Sequence, residues 1–182
     1  MLLHLDGDTL RLVGCDRFRL AIATIPVQQV SGPPFRVVAP LAFLDGLAHA
    51  RLPDVGLVAL GRDVLEVLGA QGAPLDAAYP DYERLLCSGT SPMTTVTSDE
   101  LLRAVMDAED VVAVRLDGDR VDITPPGPPG TLGFSRSFLL DSVRAARAEH
   151  VALALDDRSA LSVAAADRPD DVHVLMPIHL HH

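Results

Sequence analysis

The sequence predicts an α+β fold of antiparallel sheets with helices gathered on one face, and three observations carry that prediction. A unit of strand, helix and three strands recurs along the chain, and such units bury their helices by layering them on a sheet. Two hairpin tips share one tetrapeptide, Leu5-Asp6-Gly7-Asp8 and Leu116-Asp117-Gly118-Asp119. A second register aligns Phe43-Leu44-Asp45 with Leu139-Leu140-Asp141, and Val64-Leu65-Glu66-Val67 with Ala160-Leu161-Ser162-Val163. Three copies of the unit are whole, and the first lacks its opening strand and helix. That gap predicts an open sheet edge and an uncovered apolar face around Leu3, Leu10 and Leu12, to be closed by a preceding segment or a partner chain.

Taken in order, residues 2–5 and 9–13 alternate as two strands around an Asp-Gly turn. A third strand spans 18–27, a Gly-Pro loop 31–34 and a fourth strand 35–38. Pro40 suits the first turn of a helix over 41–50, with Leu41, Leu44 and Leu47 as its apolar face. Strands follow at 56–60, 64–69 and 74–79, and the polar stretch 87–91 reads as a linker. The pattern then restarts. A strand at 94–97 runs into Thr97-Ser98-Asp99-Glu100, a capping box for a helix through Asp107. A second Asp-Gly hairpin joins 111–116 to 121–124, followed by a Pro-Gly loop at 125–130 and a strand at 131–134. A helix over 137–148 and strands at 151–155, 160–165 and 172–180 complete the chain. Two domains result, 1–86 and 92–180, with His181 and His182 read as a tag remnant.

Composition narrows the function. The 182 residues are 48% hydrophobic, enough for a packed core, but only 4% aromatic, so that core is Leu, Val and Ala. A formal charge of −10 argues against a generally basic nucleic-acid binder and leaves room for a local basic strip. Every cation is Arg, a fork-shaped donor. Cys15 and Cys87 have neither metal-ligand spacing nor a disulfide framework, and thiols of this kind fit a reducing cytoplasm. No apolar run is long enough to span a bilayer and no signal peptide pattern opens the chain, which predicts a soluble cytoplasmic protein.

Catalysis finds no support. Asp16, Asp45, Asp81 and Asp141 have no His or Ser at a catalytic spacing. The Asp-Gly-Asp tips lack the other ligands of a calcium loop, and His4, His49, His150 and His173 are scattered. Cys15 sits beside Arg17 and Arg19, which favour a thiolate, yet an ordinary partly buried thiol explains it as well. No enzyme, cofactor or metal is expected.

Three stretches carry a family resemblance. Val13-Gly14-Cys15-Asp16-Arg17-Phe18-Arg19-Leu20-Ala21 is similar to the Val-Ala-Thr-Asp-x-x-Arg-Leu-Ala motif of the bacterial sliding clamp, the β subunit of DNA polymerase III. Tyr79-Pro80-Asp81-Tyr82-Glu83-Arg84-Leu85-Leu86 resembles its Phe-Pro-Asp-Tyr-x-x-x-Leu linker, and Val174-Leu175-Met176-Pro177-Ile178-His179-Leu180 its C-terminal Val-x-Met-Pro-x-Arg-Leu. His179 stands where that family usually has Arg, and Cys87 where a Pro often ends the linker. The resemblance covers most of the clamp's middle domain (1–86) and its third domain (92–180).

The resemblance implies a clamp fold in which domains form a ring on duplex DNA, and polymerase or repair-factor peptides dock between middle and third domains. It implies a groove built from Cys15, Arg17, Phe18, Arg19, Leu20, Pro80, Leu85, Val174, Met176, Pro177, Ile178 and Leu180. The apolar members suit Leu or Phe anchors of an extended peptide, Met176 is adaptable, and Arg19 suits an acidic or carbonyl group. The same residues also fit an ordinary inter-domain core. Candidate DNA-facing cations are Arg103, Arg136, Arg144 and Arg147, which equally fit a solvated helix face; Asp99, Glu100 and Asp107 surround Arg103. Expected partners are clamp-binding peptides, duplex DNA without sequence preference and further copies of the chain. The alternative is a clamp-derived regulatory or dimerisation module that does not encircle DNA.

Overall fold

The computed structural model describes residues 1–48, 58–86, 92–127, 132–156 and 160–179. The chain divides into two compact units, Met1–Gly14 with Ala23–Pro80, and Cys15–Ile22 with Asp81–His182. The linker 87–91, Cys87, His49, Leu180 and the terminal histidines lie outside the described residues. So does part of several expected elements: the end of the helix over 41–50, the start of the strand at 56–60, the second half of the Pro-Gly loop (128–130), and Thr131.

In the first unit, β1 (Leu2–Asp6) and β2 (Thr9–Cys15) form an antiparallel hairpin in which Asp6 pairs with Thr9. The turn is therefore Gly7-Asp8, not Asp6-Gly7. Gly7 alone has positive φ, 57°, and Gly118 repeats it at 60° in the second hairpin. A hairpin whose first turn residue must be left-handed selects glycine there, because a Cβ would crowd the following carbonyl. β3 (Arg19–Pro26) gives Ala23–Pro26 to this unit, and β4 (Phe35–Val38) pairs with β1, Leu3 opposite Val37.

Leu3 and Leu10 are buried with Val37, Ala39 and Leu65, while Leu12, Phe35, Phe43 and Leu44 pack against them. The apolar face expected to be uncovered is thus closed by the unit's own side chains. Helix α1 (Leu41–Ala48) turns Phe43, Leu44 and Leu47 inward but leaves Leu41 61% exposed. Two successive steps of three residues drift about 120° around a helix that turns about 100° per residue, so Leu41 leaves the stripe.

A small second sheet joins β5 (Val58–Leu60), β6 (Leu65–Val67) and β7 (Ala70–Gly72). The strand expected over 64–69 ends early because Leu68 and Gly69 have φ of 53° and 85°, the two-residue turn into β7. The strand expected over 74–79 reduces to one bridge, Leu75 to Val38. Tyr79 instead donates its hydroxyl to Val13 O at 2.7 Å.

The second unit holds β8 (Thr94–Thr97), α2 (Ser98–Met106), β9 (Val111–Asp117), β10 (Arg120–Thr124) and β11 (Leu132–Ser135). It continues with α3 (Arg136–Ala146), β12 (His150–Leu155), β13 (Leu161–Ala165), β14 (Arg168–Leu175) and β15 (Ile178–His179). One antiparallel sheet runs from Arg19–Ile22 of β3 through β14, β13 and β12 to β8; the other is ordered β10-β9-β11-β15. Residues 15–22 and 81–86, placed by sequence with the first domain, have their contacts here.

Thr97 caps α2 as the sequence requires. Its hydroxyl oxygen accepts from Glu100 N at 3.3 Å and donates to Glu100 Oε2 at 2.7 Å, an arrangement that stabilises a helix start by about 1 kcal/mol. Helices α2 and α3 pack together over one core containing Leu101, Val105, Leu139, Val143, Leu153 and Leu161. The strand expected over 172–180 breaks after Leu175, because Pro177 has no N–H for the ladder; β15 pairs with β11 instead.

Candidate peptide-binding site

The turn between β2 and β3 is built on the Asp16 carboxylate. Its Oδ1 accepts the backbone N–H groups of Phe18 and Arg19 at 3.2 and 3.1 Å, and its own N–H donates to Arg19 O at 3.2 Å. Arg17, at the apex, has φ 76°. An aspartate that ties down its own turn in this way fixes a loop without a glycine. Burial pushes the Asp16 carboxyl up, but the Arg19 hydrogen bond and the two backbone donors outweigh it and hold it below its ordinary value.

Arg19 ties the turn to α3 within the second unit. Its Nε donates to Asp16 Oδ2 at 2.8 Å and its Nη1 to Asp141 Oδ2 on α3 at 3.2 Å. Its guanidinium carbon lies 4.4 Å from the centroid of the Phe138 ring. The hydrogen bond to Asp16 raises the Arg19 pKa further, so the cation is permanent. Stacking on an aromatic face fixes the plane of the fork while leaving its edges to anions.

Beyond the turn the two chain ends of the site meet as strands. Leu20 pairs with Val174, Arg19 with Leu175, and Met176 N donates to Phe18 O at 2.8 Å. The motif near the start and the motif near the end of the sequence are therefore hydrogen-bonded neighbours. Phe18 is 59% exposed and Cys15 is exposed, while Met176, Pro177 and Ile178 are half-buried. Leu20 and Val174 are 1% and 0% exposed, sealed into the sheet, so in this conformation the ligand-accessible apolar surface is Phe18 and the 176–178 segment. Leu85 is half-buried in the 3-10 helix Tyr82–Leu85 of the same unit; Pro80 is exposed and belongs to the other unit. Leu180 lies outside the described residues.

His173, one residue from the site on β14, faces Ala21 and Val163 as strand partners. Burial pushes its pKa down, Asp171 opposes that, and Arg19 adds to it.

The four candidate DNA-facing arginines separate into two kinds. Arg136 donates through Nη1 to Met106 O at 3.2 Å and lies 3.7 Å from Asp110, so it holds the C-terminal end of α2. Arg103, Arg144 and Arg147 are exposed on α2 and at the end of α3, and Arg147 closes α3 in a left-handed conformation. Asp141 and Phe138 contact Arg19 although no motif singles them out; in the sequence Asp141 figures only in the internal repeat and among the carboxylates without a catalytic partner. Concavities of about 480 Å³ beside Gly7 and Val30, and about 310 Å³ beside Thr97 and Glu149, lie elsewhere. Among the described residues no cluster of three or more His, Cys, Asp or Glu is arranged to hold a metal, and no helix is long and apolar enough to cross a membrane.

No protein-family model matches the chain. The β sliding clamp of Pseudomonas aeruginosa is 27% identical over 220 residues, covering 99% of this chain and 57% of that protein. The β sliding clamp of Vibrio cholerae is 26% identical over 210 residues, with the same coverage. A crystal structure of the P. aeruginosa DNA polymerase III subunit β superposes with a TM-score of 0.80 at 26% identity, over 99% of this chain and 57% of that one. The chain thus has the sliding-clamp fold and spans somewhat more than half the length of the clamps it matches.

Proposed function

We propose that this chain is a sliding-clamp-like factor of DNA replication or repair that binds short peptides of polymerases and related proteins and works as part of a ring on duplex DNA. It acts by binding and not by catalysis. The observation that carries the reading is the pairing of Leu20 with Val174, which sets Phe18 and Arg19 beside Met176 where the two paired strands end. An exposed aromatic, a half-buried Met and a fixed guanidinium suit an extended peptide with Leu or Phe anchors and a polar group between them. Similarity to β sliding clamps along 99% of the chain supports the same assignment.

Leu85, Pro177 and Ile178 complete the proposed groove, and Cys15 and Arg17 its rim. Arg103, Arg144 and Arg147 are the proposed phosphate contacts, and oligomerisation is what would let an acidic chain surround DNA. The test has two arms. Calorimetric titration with a Leu/Phe-anchored peptide should give saturable binding; none would remove the groove. Retention on nicked circular DNA that disappears on linearisation should mark the ring; equal behaviour on both would leave a peptide-binding module alone.

A further inference from the structure

We infer that Asp141 is a specificity-determining residue of this site: it occupies Arg19 as a resident anion that an acidic group of the incoming peptide must displace. The inference rests on the peptide-binding reading above and names the charge that site selects.

Arg19 is shared unequally. Asp16 takes Nε at 2.8 Å and also holds the turn through two backbone N–H groups, so it is part of the loop itself. Asp141 takes only one Nη1 donor, at 3.2 Å, from a side chain that is 61% exposed on α3. These two ion pairs engage Nε and Nη1. The fork's outer edge therefore carries one loosely held, solvent-exposed carboxylate where two parallel donors suit a bidentate one. Phe138, at 4.4 Å, adds a cation–π contact to the guanidinium that does not depend on either carboxylate. An exposed ion pair contributes little and exchanges readily. Replacing it with a ligand carboxylate that uses both Nη groups is favourable, while a neutral polar group of a peptide cannot displace an anion and leaves Asp141 in place.

Removing the resident charge should thus help acidic peptides and leave neutral ones unmoved. Two capped peptides with the same Leu and Phe anchors, differing only by Asp against Asn at one central position, are titrated into wild type, Asp141→Asn and Asp141→Glu. Asp141→Asn should tighten binding of the Asp peptide about two- to five-fold and flatten its salt dependence, with the Asn peptide unchanged and Asp141→Glu like wild type. Equal effects on both peptides, or none on either, would overturn the inference while leaving the groove intact. Failure of both peptides to bind wild type and both variants would overturn the groove and the inference with it. If Asp141→Asn misfolds, Asp141→Ser carries the same comparison.

Discussion

Met176 N donates to Phe18 O at 2.8 Å, one rung beyond the last residue of β14. The rung is the final one before Pro177, which cannot donate. It fixes Met176 against the turn by its backbone and leaves the thioether available.

Met176→Asp should therefore preserve the fold and damage the site. The backbone rung survives, whereas a carboxylate replaces the adaptable apolar side chain. Peptide affinity should fall at least about ten-fold by calorimetry, with an unchanged circular dichroism spectrum.

Phe18→Ala separates binding from stability in the same way. A side chain that is 59% exposed contributes little to folding, so stability should change by less than about 0.5 kcal/mol in urea. Peptide affinity should drop by about ten-fold, since an exposed aromatic at a binding edge is an anchor in waiting.

Arg17 holds φ 76° without being glycine. Arg17→Gly should stabilise the chain by about 0.5–1 kcal/mol in urea, because relief of the left-handed strain exceeds the entropy that glycine adds to the unfolded state. Arg17→Val, branched at Cβ, should lose about 1–2 kcal/mol.

His173 makes stability depend on pH. Burial, opposed by Asp171 and reinforced by Arg19, depresses its folded pKa below the unperturbed value of about 6.5. Below pH 6.5 the unfolded chain takes up the proton before the folded one does, so the contribution is complete above that pH and is lost as pH falls through the lowered folded value. Asp16, also depressed, adds a further loss at more acidic pH. Urea midpoints measured from pH 8 downward should decline in wild type and decline less in His173→Gln.

The arginines should divide by what they hold. Arg136→Ala, which frees Met106 O at the end of α2, should destabilise by about 1 kcal/mol and leave DNA retention unchanged per folded molecule. Arg144→Glu with Arg147→Glu should leave stability nearly unchanged and reduce the salt slope of DNA retention by roughly 1 for each phosphate that is no longer neutralised.

Periodicity and local chemistry alone determined much of this protein. Alternation placed the β1, β2, β4, β8, β12 and β13 strands, and Thr97 with Glu100 located the start of α2, because those signals act between residues a few positions apart. The duplicated Asp-Gly-Asp tips found both hairpins, though which dipeptide formed each turn was settled by the Asp6–Thr9 and Asp117–Arg120 pairing. Three motifs marked the candidate site, yet they could not show that Leu20 and Val174 are sealed by their own pairing, that Leu41 rotates off its helix stripe, or that Arg136 is spent on a helix end. Nothing local ties Asp141 or Phe138 to the site. Their roles depend on α3 passing beside a turn 122 residues earlier in the chain, and a contact of that range exists only once the two strands β3 and β14 have paired.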